Sequence, residues 1–323
     1  MKVLVTGGAG YVGSKLVPAL LKKGYEVVVL DLYLYGNVLE SHPKLHQIKG
    51  DIRDLGLVEK SIQGCSHVIH LACISNDPSF ELNPILGKSI NFDAFEPLVK
   101  IAKENKVGHF IYASSSSVYG IKSELDVTEE VLLEPLTDYS RFKAACEQIL
   151  FKYMDDTFIC TVLRPATVCG YAPRQRLDVV VNILTNHAYH EHKIKILGGS
   201  QMRPNLHIDD MVDAYLVVLN APKNEIQGEV FNVSYHNHTV REIGELVSQS
   251  VKGCRMEILP TRDHRSYHVS SIKIHKKLRF IPLRSIEDAI QSLIDAFRSG
   301  KLPNSLKDKR YFNVKTMNEL NLK

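Results

Sequence analysis

The chain has 323 residues, 44% of them hydrophobic and 24% charged, and a formal net charge of +4 at pH 7. That length holds a large α/β domain and a smaller second one, and the composition is that of an ordinary globular protein rather than a fibrous or disordered chain. No apolar run is long enough to span a bilayer, and the mild charge shows no basic stripe with interleaved aromatics, so membrane and nucleic acid are not the expected partners.

The chain opens directly on a strand, so no signal peptide is expected. Lys2-Val3-Leu4-Val5-Thr6 is a short β-branched run, the text of a buried strand. It breaks at Gly7, Gly10 and Gly13, and a helix-periodic segment follows through Leu16, Leu20 and Leu21 to a basic last turn and Gly24. Val27-Val28-Val29-Leu30 is a second strand, with Asp31 at its end. Strand, glycine turn, helix, strand and terminal acid together predict a dinucleotide site. Gly7 permits a tight turn, Gly10 permits backbone to approach a pyrophosphate, and Gly13 permits close packing of helix on strand. Asp31 would accept hydrogen bonds from the adenosine ribose and repel a 2′-phosphate. No Arg or Lys closely follows it, which points to NAD rather than NADP.

Further along, Tyr33, Tyr35 and Gly36 could lie over an adenine, residues 45–49 read as a strand, and Gly50-Asp51-Ile52 ends it. Asp51 is placed to bond the adenine amine with Ile52 against the ring, although the same Asp could cap a helix. Residues 66–71 form another strand, ending at small residues that admit a cofactor's close approach. Residues 76–88 read as a polar loop with two prolines, 89–106 as a helix, and 109–113 as a strand running into Ser114-Ser115-Ser116-Ser117-Val118-Tyr119-Gly120. Repeated strand–helix units predict a parallel sheet with helices on both faces and ligands at the carboxyl ends of the strands.

The next helix carries Tyr139 and Lys143, four residues apart and so on one face. After a strand at 158–163, the text Pro173-Arg174-Gln175-Arg176-Leu177-Asp178 reads as a basic turn in which at least one arginine is solvent-exposed. A helix at 179–190 follows, and residues 193–199 suggest a hairpin edge. A helix at 207–219 comes next, then a late strand at 228–233 returning to the main sheet. Thr239 with Glu242, and Ser285 with Asp288, are placed to cap two further helices. The expected division is a cofactor domain over 1–170 with 206–235 returning to it, a substrate domain over 171–205 and 236–300, and a loosely held polar tail over 301–323.

Six cysteines without a C-x-x-C pair, several within apolar text, read as reduced thiols in a cytoplasmic protein. His187, His190, His192, His264 and His268 raise the question of a metal, but no Cys or acidic partner completes a ligand set, and none is expected.

The glycine motif, Asp31, Gly50-Asp51-Ile52, the serine run and Tyr139-x-x-x-Lys143 together resemble the extended short-chain dehydrogenase/reductases, in their branch of NAD-dependent nucleotide-sugar epimerases and dehydratases. The likeness runs from residue 1 to about 298. It implies a Rossmann-type doubly wound parallel sheet with a smaller mixed α/β C-terminal substrate domain, and NAD bound by Gly7, Gly10, Tyr11, Val12, Gly13, Asp31, Asp51, Ile52, Leu71, Ala72, Ser114, Tyr139, Lys143 and Pro165. It also implies a nucleotide-diphosphate sugar bound by Ser116, Asn182, Arg203 and Arg265, with Arg174 and Arg176 as further candidates for its diphosphate, and a homodimer joined through the helices at 89–106 and 139–153. Arginine's planar fork suits the phosphates.

The catalytic residues implied are Ser115, Tyr139 and Lys143. A phenol is a poor base at its ordinary pKa of about 10, and the Lys143 ammonium with an oxidised nicotinamide would favour its ionised form. The family's 4,6-dehydratases carry Asp-Glu directly after the position of Ser115, and its 3,5-epimerising members carry Cys at the position of Ser116. Here Ser116 and Ser117 stand there, and a hydroxyl cannot replace a carboxylic acid at neutral pH. A sugar 4-epimerase is the first expectation. The Pro-Arg-x-Arg-Leu-Asp turn resembles a polysaccharide-pathway branch with GDP-heptose 4-dehydrogenases, which leaves a net 4-dehydrogenase or 4-ketoreductase open. A non-catalytic NAD sensor would not need the Ser115, Tyr139 and Lys143 relay.

Overall fold

The computed structural model describes residues 1–122, 124, 126–261, 266 and 268–320. Seven strands form one all-parallel sheet in the order β10-β6-β5-β4-β1-β2-β3. These are β1 (Lys2–Thr6), β2 (Glu26–Asp31), β3 (Leu45–Lys49), β4 (His67–His70), β5 (His109–Ala113), β6 (Ile159–Pro165) and β10 (Glu229–Val233). Alternation along each strand divides the core in two. Leu4, Val28, Val68, Phe110 and Val162 face α2 (Leu55–Ile62), α3 (Phe95–Glu104) and α4 (Asp138–Lys152). Val3, Val27, Ile69, Ile111 and Leu163 face α1 (Gly13–Lys22) and α6 (Ile208–Asn220). With both faces covered, the inner strands β1, β2 and β5 are largely apolar, which is why they read as buried runs. The strand order reverses between β1 and β4, and the loops leaving those two strands open the crevice where such sheets bind ligands.

A second region holds two small sheets. In one, β9 (Met202–His207) lies between β7 (Thr167–Cys169), parallel to it, and β11 (His236–Thr239), antiparallel. In the other, β8 (Lys193–Leu197) pairs in parallel with β12 (Arg255–Leu259). Around them pack α5 (Val180–Glu191), α7 (Val240–Ser250) and α8 (Ile286–Arg298) through Val181, Ile196, Ile243 and Ile290. Both anticipated capping boxes, Thr239 with Glu242 and Ser285 with Asp288, are formed.

Four local expectations are corrected. Residues 76–88 are not an irregular loop but two one-turn helices, Asp77–Glu81 and Pro84–Lys88, each capped by an asparagine side chain (Asn76, Asn83) and begun with a proline. The helix expected over 89–106 divides into a π turn, Ser89–Asp93, and α3. Residues 193–199 make no hairpin, because β8 takes as its partner a strand some sixty residues on that no adjacent turn announces. The tail is not loose through its described length. Leu302, Tyr311 and Phe312 pack on Leu177, Leu293 and Phe297, and Met317 is buried in the main core. No helix among the described residues is long and apolar enough to cross a membrane.

Candidate active site

The crevice at the strand ends is a cavity of about 550 Å³. Its floor is the glycine loop. Gly7 has φ +72°, and a Cβ there would lie 2.6 Å from the backbone nitrogen of Ala72, so the turn and the close crossing of the β4 loop both require glycine. A Cβ on Gly10 would meet only the Gly7 carbonyl oxygen, at 3.1 Å, which leaves a concavity at the start of α1. Gly13 differs from expectation. A side chain there would strike the backbone of Gly8, at 2.4 Å from its oxygen, rather than the strand. Gly8 is the glycine that lies against β2, where a Cβ would come within 2.8 Å of the Val29 side chain.

Asp31 stands at the end of β2 as expected. Its carboxylate accepts from the Ala9 and Tyr33 N–H groups at 2.9 and 2.7 Å, and burial raises its pKa against those bonds. Asp51 does not cap the following helix, since Asp54 does. Its carboxylate instead receives the Arg53 guanidinium, with Nη2 at 2.7 Å. Ile52, Leu71, Ala72, Val12 and Pro165 line the cavity, as does Tyr11, whose hydroxyl is turned away to donate to the Gly170 carbonyl at 2.6 Å. Ser114 also lines it, with its hydroxyl donating to Glu147.

Tyr139 and Lys143 project from the first turns of α4, a helix fixed by Thr137, which caps Ser140 and donates to Asp77 at 2.5 Å. Both are buried and line the cavity with Ser115 and Ser116. Ser115 caps a 3-10 turn, Ser116–Tyr119, and its oxygen accepts from the Ser117 N–H and hydroxyl at 3.1 and 2.9 Å. Lys143 Nζ donates to the Ala113 carbonyl at 2.7 Å and lies 5.9 Å from the centre of the Tyr139 ring. The expected lowering of the phenol's pKa involves an oxidised nicotinamide, and the chain's own groups act on balance in the other direction. Burial raises the pKa of Tyr139, Cys73 and Asp77 add to the rise, and Arg176 together with the Asn76 N–H opposes it.

Neither arginine of the basic turn is exposed. Arg174 is 4% exposed, stacked 3.6 Å over the Tyr35 ring, and Arg176 is held by Asp178 at 2.6 Å. Both line the cavity, as do Ser75 and Asn313. Asn313, from the C-terminal segment, is a site residue the sequence reading missed. The aromatic pair Tyr311-Phe312 that anchors it in otherwise polar text was the available signal.

Asn182 does not reach the cavity. It is fully buried, its amide accepting from the Gly170 N–H at 2.9 Å and donating to the Tyr11 hydroxyl and the Arg176 carbonyl at 3.0 and 2.7 Å. Arg203 lines this cavity and an adjoining one of about 580 Å³ that also shares Asp178 and Val180. Arg265 and His264 lie outside the described residues. His187 pairs with Glu191 and His190 with Ser305. Among the described residues, no three His, Cys, Asp or Glu side chains are grouped as metal ligands.

Residues 3–234 match the NAD dependent epimerase/dehydratase family. A UDP-glucose 4-epimerase of Lactobacillus helveticus is 30% identical over 266 residues, covering 76% of this chain and 80% of that protein. A dTDP-glucose 4,6-dehydratase of Streptomyces niveus is 26% identical, covering 93% of this chain and 94% of its own length. Among solved structures, the UDP-glucuronic acid 4-epimerase of Bacillus cereus, in complex with UDP-glucuronic acid and NAD, superposes with a TM-score of 0.83 at 29% identity, covering 93% of this chain and 99% of that one.

Proposed function

Because the chain belongs to the NAD-dependent epimerase/dehydratase family, we propose that it is a nucleotide-sugar oxidoreductase acting at sugar carbon C4, and first of all a 4-epimerase. The residues fit a dinucleotide. Gly10 leaves a backbone cradle at the start of a helix, Asp31 ends β2 beside it, and Arg174 Nε is buried in the same cavity with no hydrogen-bond partner. NAD held there would supply the hydride acceptor and, for epimerisation, the hydride for the other face of the sugar.

The chain's own residues manage the proton. Tyr139, ionised, takes the proton of the C4 hydroxyl as the carbon–hydrogen bond breaks, and gives it back when the carbonyl is reduced. Ser115 donates its hydroxyl to the reacting oxygen, and Lys143 sets a positive charge beside the phenol. The observation that carries the reaction class is at Ser116 and Ser117. They occupy the positions where water elimination requires an acid and a base, and neither hydroxyl can serve.

The basic turn favours one second reading, a net 4-dehydrogenase or 4-ketoreductase of polysaccharide synthesis. Arg176 enters the cavity from that turn, and a pocket that fixes the keto sugar would prevent the rotation that epimerisation needs. The purified protein incubated with UDP-, GDP-, CDP- and dTDP-sugars, followed at 340 nm and by mass spectrometry, separates these outcomes. Epimerisation leaves the mass unchanged with altered retention, oxidation removes two hydrogens, and loss of water would overturn the proposal.

A further inference from the structure

Arg174 is a buried cation on which the carboxylates of Asp178 and Asp31 act only from beyond ion-pair distance. Among the described residues no carboxylate forms an ion pair with it, Nη2 donates to the Asn313 side-chain oxygen at 2.6 Å, and Nε has no partner. A guanidinium withdrawn from water in this way is costly unless an anion completes it. Its position says which anion. The Arg174 backbone N–H donates to Ser14 Oγ at 3.3 Å, in the first turn of α1, and the side chain stacks on Tyr35 in the loop that follows Asp31. Arg176, two residues on, is paired with Asp178 at 2.6 Å and reaches Ser75 Oγ at 3.5 Å.

We propose that Arg174 is a second phosphate-binding arm for the dinucleotide, engaging its pyrophosphate together with the glycine loop, and that Asn313 latches this arm in place. The proposal rests on the NAD reading above. It assigns Arg174 to the cofactor instead of the sugar nucleotide, and gives the C-terminal segment a part in holding it. Asn313 is built for the role. Beyond its bond to Arg174, its amide donates to Ser75 Oγ at 2.9 Å and its backbone N–H to Asp178 at 2.7 Å, while Leu177 donates to the Tyr311 carbonyl at 2.8 Å. One asparagine therefore ties the arm, the β4 loop and the basic turn together. Stacking on Tyr35 keeps the guanidinium plane fixed, so its remaining N–H groups are preorganised for a diphosphate.

The test compares wild type, Arg174→Met and Asn313→Ala for NAD carried through purification and for its dissociation rate on exchange with a fluorescent NAD analogue. UDP and GDP binding to the same holoproteins is measured by calorimetry. Loss of one charged hydrogen bond predicts a rise in NAD dissociation of roughly 10–100-fold in Arg174→Met, a smaller rise in Asn313→Ala, and unchanged UDP and GDP affinity in both. Wild-type NAD retention in Arg174→Met, or a loss confined to UDP and GDP, overturns the assignment. If Arg174→Met does not fold, Asn313→Ala decides, since it frees the arm without removing it, and wild-type NAD dissociation in that variant overturns the latch. A wild-type protein that neither carries nor binds NAD would refute the proposed function itself.

Discussion

The carboxylate of Glu147 receives Arg164 side-on, Nε to Oε1 at 3.0 Å and Nη2 to Oε2 at 2.6 Å, with both side chains almost fully buried. This pair pins α4, which carries Tyr139 and Lys143, to β6, which delivers Pro165 to the cavity. Ser114 and the Tyr119 hydroxyl complete it. Breaking such a pair strands the remaining charge away from water. Glu147→Gln is expected to cost about 3–5 kcal/mol in urea unfolding, and a loss under about 1 kcal/mol would show that the pair is not structural.

Acid should destabilise the fold through two histidines. Burial holds His70 and His109 neutral, with their pKa values pushed down to about 3. Their folded values lie below the unfolded value of about 6.5, so the unfolded chain binds more protons below that pH. The stability they contribute is fully present above about pH 6.5 and is lost as the pH falls toward 3. Each can remove up to about 1.4 kcal/mol per pH unit. Urea unfolding at pH 7.0 and 5.0 should therefore differ by up to about 4 kcal/mol, and equal stabilities would contradict the account.

The activity should follow the phenol's ionisation. Burial raises the pKa of Tyr139, so kcat/KM is expected to climb with pH and to fall tenfold per unit below the apparent pKa. Lys143→Met should move the rising limb upward, and an unmoved limb would remove Lys143 from this role.

We propose a homodimer joined through α3 and α4. Ile85, in the one-turn helix shortly before α3, is 85% exposed, and Leu82 is exposed beside it. Light scattering at micromolar concentration should give twice the chain mass of 36.4 kDa. Ile85→Glu should shift the population toward monomer, and a wild-type monomer would refute the proposal.

Features built from neighbouring residues were legible in the sequence. The stretch from Lys2 to Asp31 needed only strand composition, three glycines and a helix stop, and the two capping boxes needed a single three-residue spacing each. Features decided by distant partners were not. β8 and β12 pair across some sixty residues with no connecting turn to announce them. Asn182 showed its identity but not its direction, and its amide is taken up by Gly170, Tyr11 and Arg176. The burial of Arg174 was not legible, because the groups that cover it, Tyr35 and Asn313, lie some 140 residues before and after it. Gly8 was passed over because its neighbour Val29 comes from another strand.

The most direct measurement of the central claim is the turnover of Tyr139→Phe against wild type on whichever nucleotide sugar the protein converts, with bound NAD quantified in both. The variant is expected to carry NAD as the wild type does and to lose activity by roughly two to four orders of magnitude. Wild-type turnover in Tyr139→Phe would contradict it.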